Sequence, residues 1–254
     1  MFINKISESK RNTFNQCRLK YKYKYVDRMD ETSDGNTDAL HFGSYIHKIL
    51  EKGYKATTYE ELEVLAEEYK KDYKFGKSYN KKIEPCLKNF LRLNASLEET
   101  VDVEHGFNIE VASDIEIIGY IDRIVKGNQG GYLVVDYKTG KREKNKVELY
   151  QDTQMKNYAF AVHRVFKTPL ANIVCAHYYP VTDNLVTVKY SETQIASHIR
   201  GVVEDVWKIR KLKKKDLTPC QNEFCNWCGY KNACPLFVDS STVAKVIEEA
   251  KTKS

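Results

Sequence analysis

The stretch that decides the fold is YLVVDYKTGK, residues 132–141. Four residues typical of a buried strand are followed directly by Asp136, Tyr137 and Lys138, and a Thr-Gly pair then ends the strand. Because side chains alternate along a strand, Asp136 and Lys138 share one face and Tyr137 points to the other. The stretch therefore predicts a buried strand that carries an acid and a base together at its end.

A second acid lies on the strand before it. The segment GYIDRIV, residues 119–125, contains Asp122, and the Gly-rich residues 127–131 that follow are typical of a hairpin turn. If this turn centres on Gln129, Asp122 lies opposite Asp136, with Cβ atoms roughly 4.5–5.5 Å apart. A shift of one residue would put the two acids on opposite faces. Two carboxylates this close repel each other unless a cation or a shared proton stabilises them.

The paired acids predict a metal site. Carboxylates suit Mg²⁺ or Mn²⁺, which prefer oxygen ligands and would hold a water and a phosphate oxygen together. Lys138 would orient that water or neutralise charge developing on phosphorus. The alternative for Asp136 and Lys138 taken alone is a strand-end salt bridge between the lysine and a neighbouring acid. The second acid, at hairpin distance, favours the metal site.

The remaining pattern predicts an α/β fold with mixed strand directions and an N-terminal helical subregion. Predicted helices cover 7–26 in part, 39–54, 58–74, 79–99, 147–166 and 191–213, with a polar loop at 30–38 and a weak helix in the tail. Predicted strands cover 103–112, 114–126, 132–139, 171–181 and 185–190, and 217–238 is irregular. We expect a single domain over 1–254, with the helical subregion at about 39–100 and the core at about 101–213.

Composition limits the function classes. The 254 residues are 42% hydrophobic and 30% charged, with a net charge of +6, so the chain can bury a core. It contains neither a bilayer-length apolar run nor a signal peptide, and we expect a cytoplasmic protein without membrane contact. Three lysine- and arginine-rich runs, near residues 10–24, 138–146 and 208–215, favour a polyanionic partner. The eighteen tyrosines offer surfaces on which bases could stack.

The cysteines indicate a metal rather than disulfides. There are seven, and CNWCGYKNACP, residues 225–235, gives a C-x2-C-x5-C spacing with Cys220 nearby. From spacing alone, a four-cysteine zinc site and an iron–sulfur cluster both remain open. Cys86 and Cys175 fall within helix and strand patterns, and we expect them in the core.

Taken together, these motifs resemble the PD-(D/E)XK nuclease superfamily in its RecB-like branch. That branch reads roughly G-x-[IV]-D-R-[IV], a hairpin, hydrophobic residues and then D-[YF]-K-T-G. Further resemblances are HFGSYIHKIL (41–50) to the F-G-x-x-x-H helix, QMKNY (154–158) to the Q-x-x-x-Y helix, and SESKRNTFNQCRLKYKYKY (7–25) to the family's N-terminal segment. The resemblance runs from residue 7 to residue 235.

The resemblance implies a fold and further site residues. It implies a restriction-endonuclease-like mixed-sheet core flanked by helices, with His47 as the third metal ligand beside Asp122 and Asp136. It also implies that Gln154 and Tyr158, which share a helix face at i and i+4, line the active site and contact the DNA or the attacking water. The alternative for that pair is an ordinary helix surface. Glu110, on the preceding strand, is a further candidate acid.

One subset of RecB-like nucleases, which includes CRISPR-associated exonucleases and nuclease subunits of some recombination helicases, is especially similar. In it, one N-terminal and three C-terminal cysteines hold a [4Fe-4S] cluster, and these correspond here to Cys17, Cys225, Cys228 and Cys234. Cys220 lies outside this set. Such a cluster would close a loop of about 200 residues and act as a structural staple. A zinc knuckle or unligated thiols are the alternatives.

These residues lead us to expect a metal-dependent DNA exonuclease, acting on single-stranded ends in recombination, repair or phage and CRISPR DNA processing. One alternative is a structure-specific endonuclease. Another is a DNA-binding nuclease subunit that depends on a helicase, recombination or integrase partner. The chain contains no GxxxxGK[ST] motif, so any motor would be another chain.

Overall fold

The computed structural model describes residues 3–31, 38–127 and 130–252. Its α-helices are α1 (Glu8–Gln16), α2 (Arg18–Tyr21), α3 (Asp38–Lys52), α4 (Tyr59–Lys70), α5 (Lys77–Asn80), α6 (Ile83–Ser96), α7 (Lys146–Gln151), α8 (Thr153–Phe166), α9 (Glu192–Lys211) and α10 (Ser240–Thr252). A π-helical turn, Lys22–Val26, follows α2, and three short 3-10 turns (Lys214–Asp216, Glu223–Trp227 and Lys231–Ala233) lie between α9 and α10. Most of the predicted loop at 30–38, and the turn centre Gln129, lie outside the described residues.

The strands form a mixed sheet, which confirms the predicted α/β fold. They are β1 (Lys5–Ile6), β2 (Thr100–Ala112), β3 (Ile115–Lys126), β4 (Tyr132–Tyr137), β5 (Ile173–Tyr179) and β6 (Asn184–Val188). Strand β3 pairs with β2 and, antiparallel, with β4; β4 and β5 run parallel, and β6 is antiparallel to β5. Because β4 and β5 are parallel, they need a crossover connection, and α7 and α8 form it. The short strand β1 was not predicted.

The chain divides into two compact units. One consists of residues 1–36, 110–116 and 201–254, and the other of 37–109 and 117–200. In the first, the Asn4 carbonyl accepts a hydrogen bond from the Glu116 N–H at the start of β3. The second contains the predicted helical subregion and most of the sheet. The prediction of one domain over 1–254 stays a prediction.

The core of the second unit lies between the helices α3, α4 and α6 and one face of the sheet. Tyr137 points into it, as the alternation of β4 predicts, and is 2% exposed. Cys86 and Cys175 are fully buried, again as predicted. Other buried members of this core include Phe42, Ile46, Leu50, Leu62, Phe90 and Tyr178. This packing fixes α3 beside the end of β4, where the acids lie.

The predicted helix over 147–166 is two helices. Asp152 interrupts it with an extended backbone (φ −63°, ψ 122°), and its Oδ1 accepts a hydrogen bond from the Met155 N–H at 2.9 Å. An aspartate at this position stabilises the new helix end by capping it, and this outweighs continuation of the helix. The break puts Gln154 in the first turn of α8.

Within the described ranges, no helix is long and apolar enough to cross a bilayer.

Candidate active site

The hairpin between β3 and β4 has the predicted register. Arg123 faces Val135 and Lys126 faces Tyr132, which is the pairing of a turn centred on residue 129. Continuing this register by one residue puts Asp122 level with Asp136. On the other side of β4, the parallel register puts His177 of β5 beside Asp136.

The main chain of Tyr137 holds two of the predicted site residues. Its N–H donates to Asp122 Oδ2 at 2.7 Å, and its carbonyl oxygen lies 2.8 Å from His47 Nε2. Because a carbonyl only accepts, Nε2 carries the proton and Nδ1 keeps a lone pair, which lies 3.4 Å from Asp122 Oδ2. Histidines that bind metal ions commonly donate their other ring N–H in this way. His47 therefore presents its Nδ1 lone pair toward Asp122.

A third acid completes a group that could hold a metal ion. One ligand atom each from His47, Glu104 and Asp122 lies within 4.8 Å of the others. Glu104 lies on β2 with a positive φ of 49°, as at a β-bulge that re-aims a side chain. Glu110, the acid of β2 selected from the sequence, is exposed and lies outside this group. The role of Glu110 stays a prediction.

A sequence signal for Glu104 was present in the turn between β2 and β3. A Cβ on Gly119 would come within 2.7 Å of the Phe107 ring, so these two positions are neighbours across the hairpin. This register centres on Ser113, and counting outward from it brings Glu104 level with Asp122. The packed Phe107 ring also contacts Tyr158 edge-on, with ring centroids 6.0 Å apart.

The electrostatics of the group favour a cation. Burial raises the pKa of Asp122 well above its usual range, and the Asp136 carboxylate adds to the shift. Burial also raises the pKa of Glu104, while His47 acts in the opposite direction. For His47, burial lowers the pKa, although Asp136 opposes this effect. A divalent cation would stabilise the charged carboxylates in place of a proton.

Lys138 lies at the centre of a polar chain that runs from β4 to α8. Its Nζ lies 2.6 Å from Asp136 Oδ2 and donates to Gln154 Oε1 at 3.0 Å. The Gln154 amide nitrogen in turn donates to the Tyr158 hydroxyl at 2.8 Å. Burial lowers the pKa of Lys138, but Asp136 and Asp122 outweigh it and the net shift is upward, so the lysine stays charged. The ion pair expected under the salt-bridge alternative is thus present, within a larger network.

A cavity of about 470 Å³ opens beside the group of ligands. Its lining includes His47, Glu104, Lys48 and Thr139. At Gly43, helix α3 passes close to Thr139, since a Cβ at this position would lie 3.1 Å from the Thr139 hydroxyl. The glycine therefore lets α3 approach the end of β4 closely enough for His47 to reach Tyr137.

Arg123, the neighbour of Asp122, has a structural role. It is 3% exposed, and its guanidinium donates to the Thr100 hydroxyl at 2.7 and 2.9 Å and to Asn94 Oδ1 at 2.5 Å. Asn94 lies in the last turn of α6 and Thr100 begins β2. The Asp-Arg pair of the motif thus supplies one residue to the site and one to its scaffold.

Five cysteines line one pocket in the first unit. They are Cys17, Cys220, Cys225, Cys228 and Cys234. Cys17, Cys228 and Cys234 also pack against a small apolar cluster of Leu19, Tyr23, Met29, Tyr230 and Ala233. Burial raises the pKa of Cys234, and the other three thiols of the predicted cluster set add to it. The predicted ligands from the two ends of the chain are thus brought together around one pocket.

Comparison with known proteins gives a family. A profile of the PD-(D/E)XK nuclease superfamily matches residues 5–235. Curated relatives include a subunit of the ATP-dependent helicase/deoxyribonuclease from Streptococcus pyogenes serotypes M6 and M18, each 23% identical over 230 residues. The match covers 80% of this chain but only 22% of those proteins, so the chain spans about a fifth of their length. The crystal structure of SSO0001 aligns at a TM-score of 0.41 and 16% identity, covering 94% of this chain and 89% of that one.

Proposed function

Because the chain belongs to the PD-(D/E)XK nuclease superfamily, we propose that it is a metal-dependent DNA exonuclease that hydrolyses phosphodiester bonds at single-stranded ends. The observation that carries the proposal is the group of His47, Glu104 and Asp122, with ligand atoms within 4.8 Å of one another. Relatives named as helicase/deoxyribonuclease subunits support DNA as the substrate. Because the proposed substrate is DNA, we also propose a cytoplasmic location.

The donor set of this group fits Mg²⁺ or Mn²⁺. One imidazole nitrogen and two carboxylates suit these ions, and the raised pKa of Asp122 reflects a buried charge that a cation would stabilise. His47, Glu104 and Asp122 would hold the ion, and Asp136 is proposed as a further ligand since it lies level with Asp122. When bound, the ion would lower the pKa of a water and polarise a phosphate oxygen.

The neighbouring side chains would act on the substrate directly. Lys138, held between Asp136 and Gln154, would neutralise charge that develops on the phosphate. Because burial raises the pKa of Tyr158, its hydroxyl stays protonated. That hydroxyl accepts a hydrogen bond from Gln154, which leaves its own proton available for a phosphate oxygen or the attacking water. The predicted pair of Gln154 and Tyr158 would thus contribute one hydrogen-bond donor to the substrate, the Tyr158 hydroxyl.

We propose that Cys17, Cys225, Cys228 and Cys234 hold a [4Fe-4S] cluster, as the resemblance to the cluster-containing RecB-like nucleases implies. Their position around one pocket supports this, and thiolates are the ligands that such clusters use. The cluster would tie residue 17 to residues 225–234 and act as a staple. Cys220 lines the same pocket and is the alternative fourth ligand. Iron, sulfide and zinc analysis of anaerobically purified protein distinguishes the cluster from a zinc site.

A second candidate function is a nuclease that works only with a helicase. It is favoured by the names of the relatives, which are helicase/deoxyribonuclease subunits, and by the match covering only 22% of their length. In this case a helicase motor would have to act together with the nuclease, and the nuclease alone would bind DNA but cleave slowly. A structure-specific endonuclease is the remaining alternative.

The test is cleavage of end-labelled linear and circular single-stranded DNA with Mn²⁺, Mg²⁺ or EDTA. Wild type is compared with Asp136→Asn and with Asp114→Asn, an exposed aspartate whose positive φ of 63° asparagine tolerates. Metal-dependent loss of the linear strand only, absent in Asp136→Asn and intact in Asp114→Asn, is the expected result. Cleavage of circles would instead indicate an endonuclease. Binding without cleavage would indicate the helicase-dependent form.

A comparison of two glutamates on one strand decides which acid of β2 serves the site. We expect Glu104→Gln to weaken Mn²⁺ binding and cleavage together, because Glu104 lies among the ligands. Glu110→Gln should leave both unchanged, because Glu110 is exposed outside that group. The opposite result would assign the role to Glu110, as expected from the sequence.

A further inference from the structure

A buried histidine lies against the proposed metal site and belongs to none of its motifs. His177 is 0% exposed and lies beside Asp136 in the parallel pairing of β4 and β5. Its Nε2 has no hydrogen-bond partner among the described residues, yet it lies 3.7 Å from Asp136 Oδ2. A buried polar group is costly unless it interacts with another polar group. Its position therefore suggests a role toward Asp136.

The same nitrogen faces a second carboxylate. Nε2 of His177 lies 3.8 Å from Asp152 Oδ2, while Asp152 Oδ1 caps α8. Lys144 also forms an ion pair with Asp152. On the other side of the ring, Nδ1 lies 3.4 Å from the Tyr179 hydroxyl. The Tyr179 hydroxyl thus contacts one side of the imidazole, and Nε2 on the other side lies between two acids.

These contacts close a ring of interactions around the site. This closed set of contacts runs from Asp136 through His177 to Asp152. Asp152 caps α8, the helix that carries Gln154 two residues later. Gln154 accepts from Lys138, and Lys138 pairs with Asp136. The ring of interactions joins two strands and a helix, so a change at His177 would shift the acid relative to the helix.

We propose that His177 is a positioning residue that fixes Asp136 and the start of α8 in one arrangement around the metal ion. This inference rests on the proposed function, because it assigns His177 a role toward an ion that Asp136 would help to bind. Groups that orient metal ligands from behind typically affect metal affinity by about 10- to 100-fold. His177 would thus support the ligand Asp136 without binding the ion or the substrate itself.

The test measures Mn²⁺ affinity by electron paramagnetic resonance and calorimetry, without DNA, in wild type, three His177 variants and one control variant. His177→Leu removes both ring nitrogens at similar volume. His177→Gln keeps an amide near the Nε2 position, whereas His177→Asn puts one only near Nδ1. The matched control is His198→Leu, which removes another buried histidine of the same unit, one that contacts Asn157 at 2.7 Å. Unfolding curves in EDTA report whether each variant folds.

We expect the dissociation constant for Mn²⁺ to rise about 10-fold or more in His177→Leu and His177→Asn. It should be largely restored in His177→Gln and stay within about twofold of wild type in His198→Leu. If His177→Leu does not fold, the Gln–Asn difference decides the question. Equal affinity in wild type and the His177 variants, or an equal loss in His198→Leu, would overturn the inference. A wild-type protein that binds no Mn²⁺ would instead overturn the proposed function itself.

Discussion

Replacing Asp122 by asparagine should remove most of the stabilisation that Mn²⁺ gives this protein. Asp122 is 9% exposed, and both burial and Asp136 raise its pKa well above the usual range. A raised pKa in the folded state means that the protonated acid contributes stability, fully present below the unfolded pKa of about 3.9. This contribution is lost as the pH rises through the folded pKa. Asparagine keeps the shape of the side chain and removes the charge.

The magnitude follows from two linked equilibria. In EDTA, each unit by which the pKa is raised costs the wild type about 1.4 kcal/mol by the time the acid is fully charged. At a Mn²⁺ concentration 100 times its dissociation constant, binding adds about 2.7 kcal/mol to the wild type. Asp122→Asn lacks one of three grouped ligands, so we expect it to gain under about 1 kcal/mol at that same concentration. The variant should therefore be at least as stable as wild type in EDTA at pH 7, and Mn²⁺ should shift the difference toward the wild type by at least about 1.7 kcal/mol.

Urea denaturation followed by circular dichroism, between pH 4 and pH 8, tests this. In EDTA, the free energy of unfolding of the wild type should fall, relative to that of Asp122→Asn, as the pH rises. In Mn²⁺ the difference should shift toward the wild type, because the metal ion competes with the proton for the same oxygens. Asp114→Asn, an exposed control, should follow the wild type in both series. Equal stabilisation of wild type and Asp122→Asn by Mn²⁺ would refute the assignment of Asp122 as a ligand.

Three further changes have distinct expected outcomes. Lys138→Met removes the cation between Asp136 and Gln154, so kcat should fall on the order of 10²- to 10³-fold while DNA affinity changes little. Single-turnover kinetics measures this effect, and an unchanged kcat would contradict the role of Lys138. Arg123→Met leaves the buried oxygens of Thr100 and Asn94 without their charged donor and should lower the free energy of unfolding by about 3 kcal/mol. Urea denaturation in EDTA measures this change. A loss below about 1 kcal/mol would argue against a structural role for Arg123. Cys228→Ser should abolish the visible absorbance and iron content of the purified protein, and full retention of iron would remove Cys228 from the ligand set.

Much of the fold was readable from local patterns. The β3–β4 hairpin register followed from the glycine-rich turn and the apolar strands on either side of it, and the structure has that register. Alternation along β4 correctly put Tyr137 in the core and Asp136 with Lys138 on the other face. The i, i+4 spacing of Gln154 and Tyr158 likewise gave a direct contact. Each of these features depends on residues close together in the chain, where period and turn type are informative.

Only the tertiary structure decided the rest. Glu104 is level with Asp122 in the β2–β3 hairpin, but its grouping with His47 of α3 depends on how the helix packs on the sheet. The break at Asp152 could not be read from helical periodicity, because its cap competes with continuation of the helix. His177 reaches Asp136 through a parallel pairing across more than thirty residues, whose register no local turn specifies. The sequence by itself therefore determined the acids, the lysine and their hairpin. The contacts between distant segments that orient them were decided by the packing of the sheet and helices.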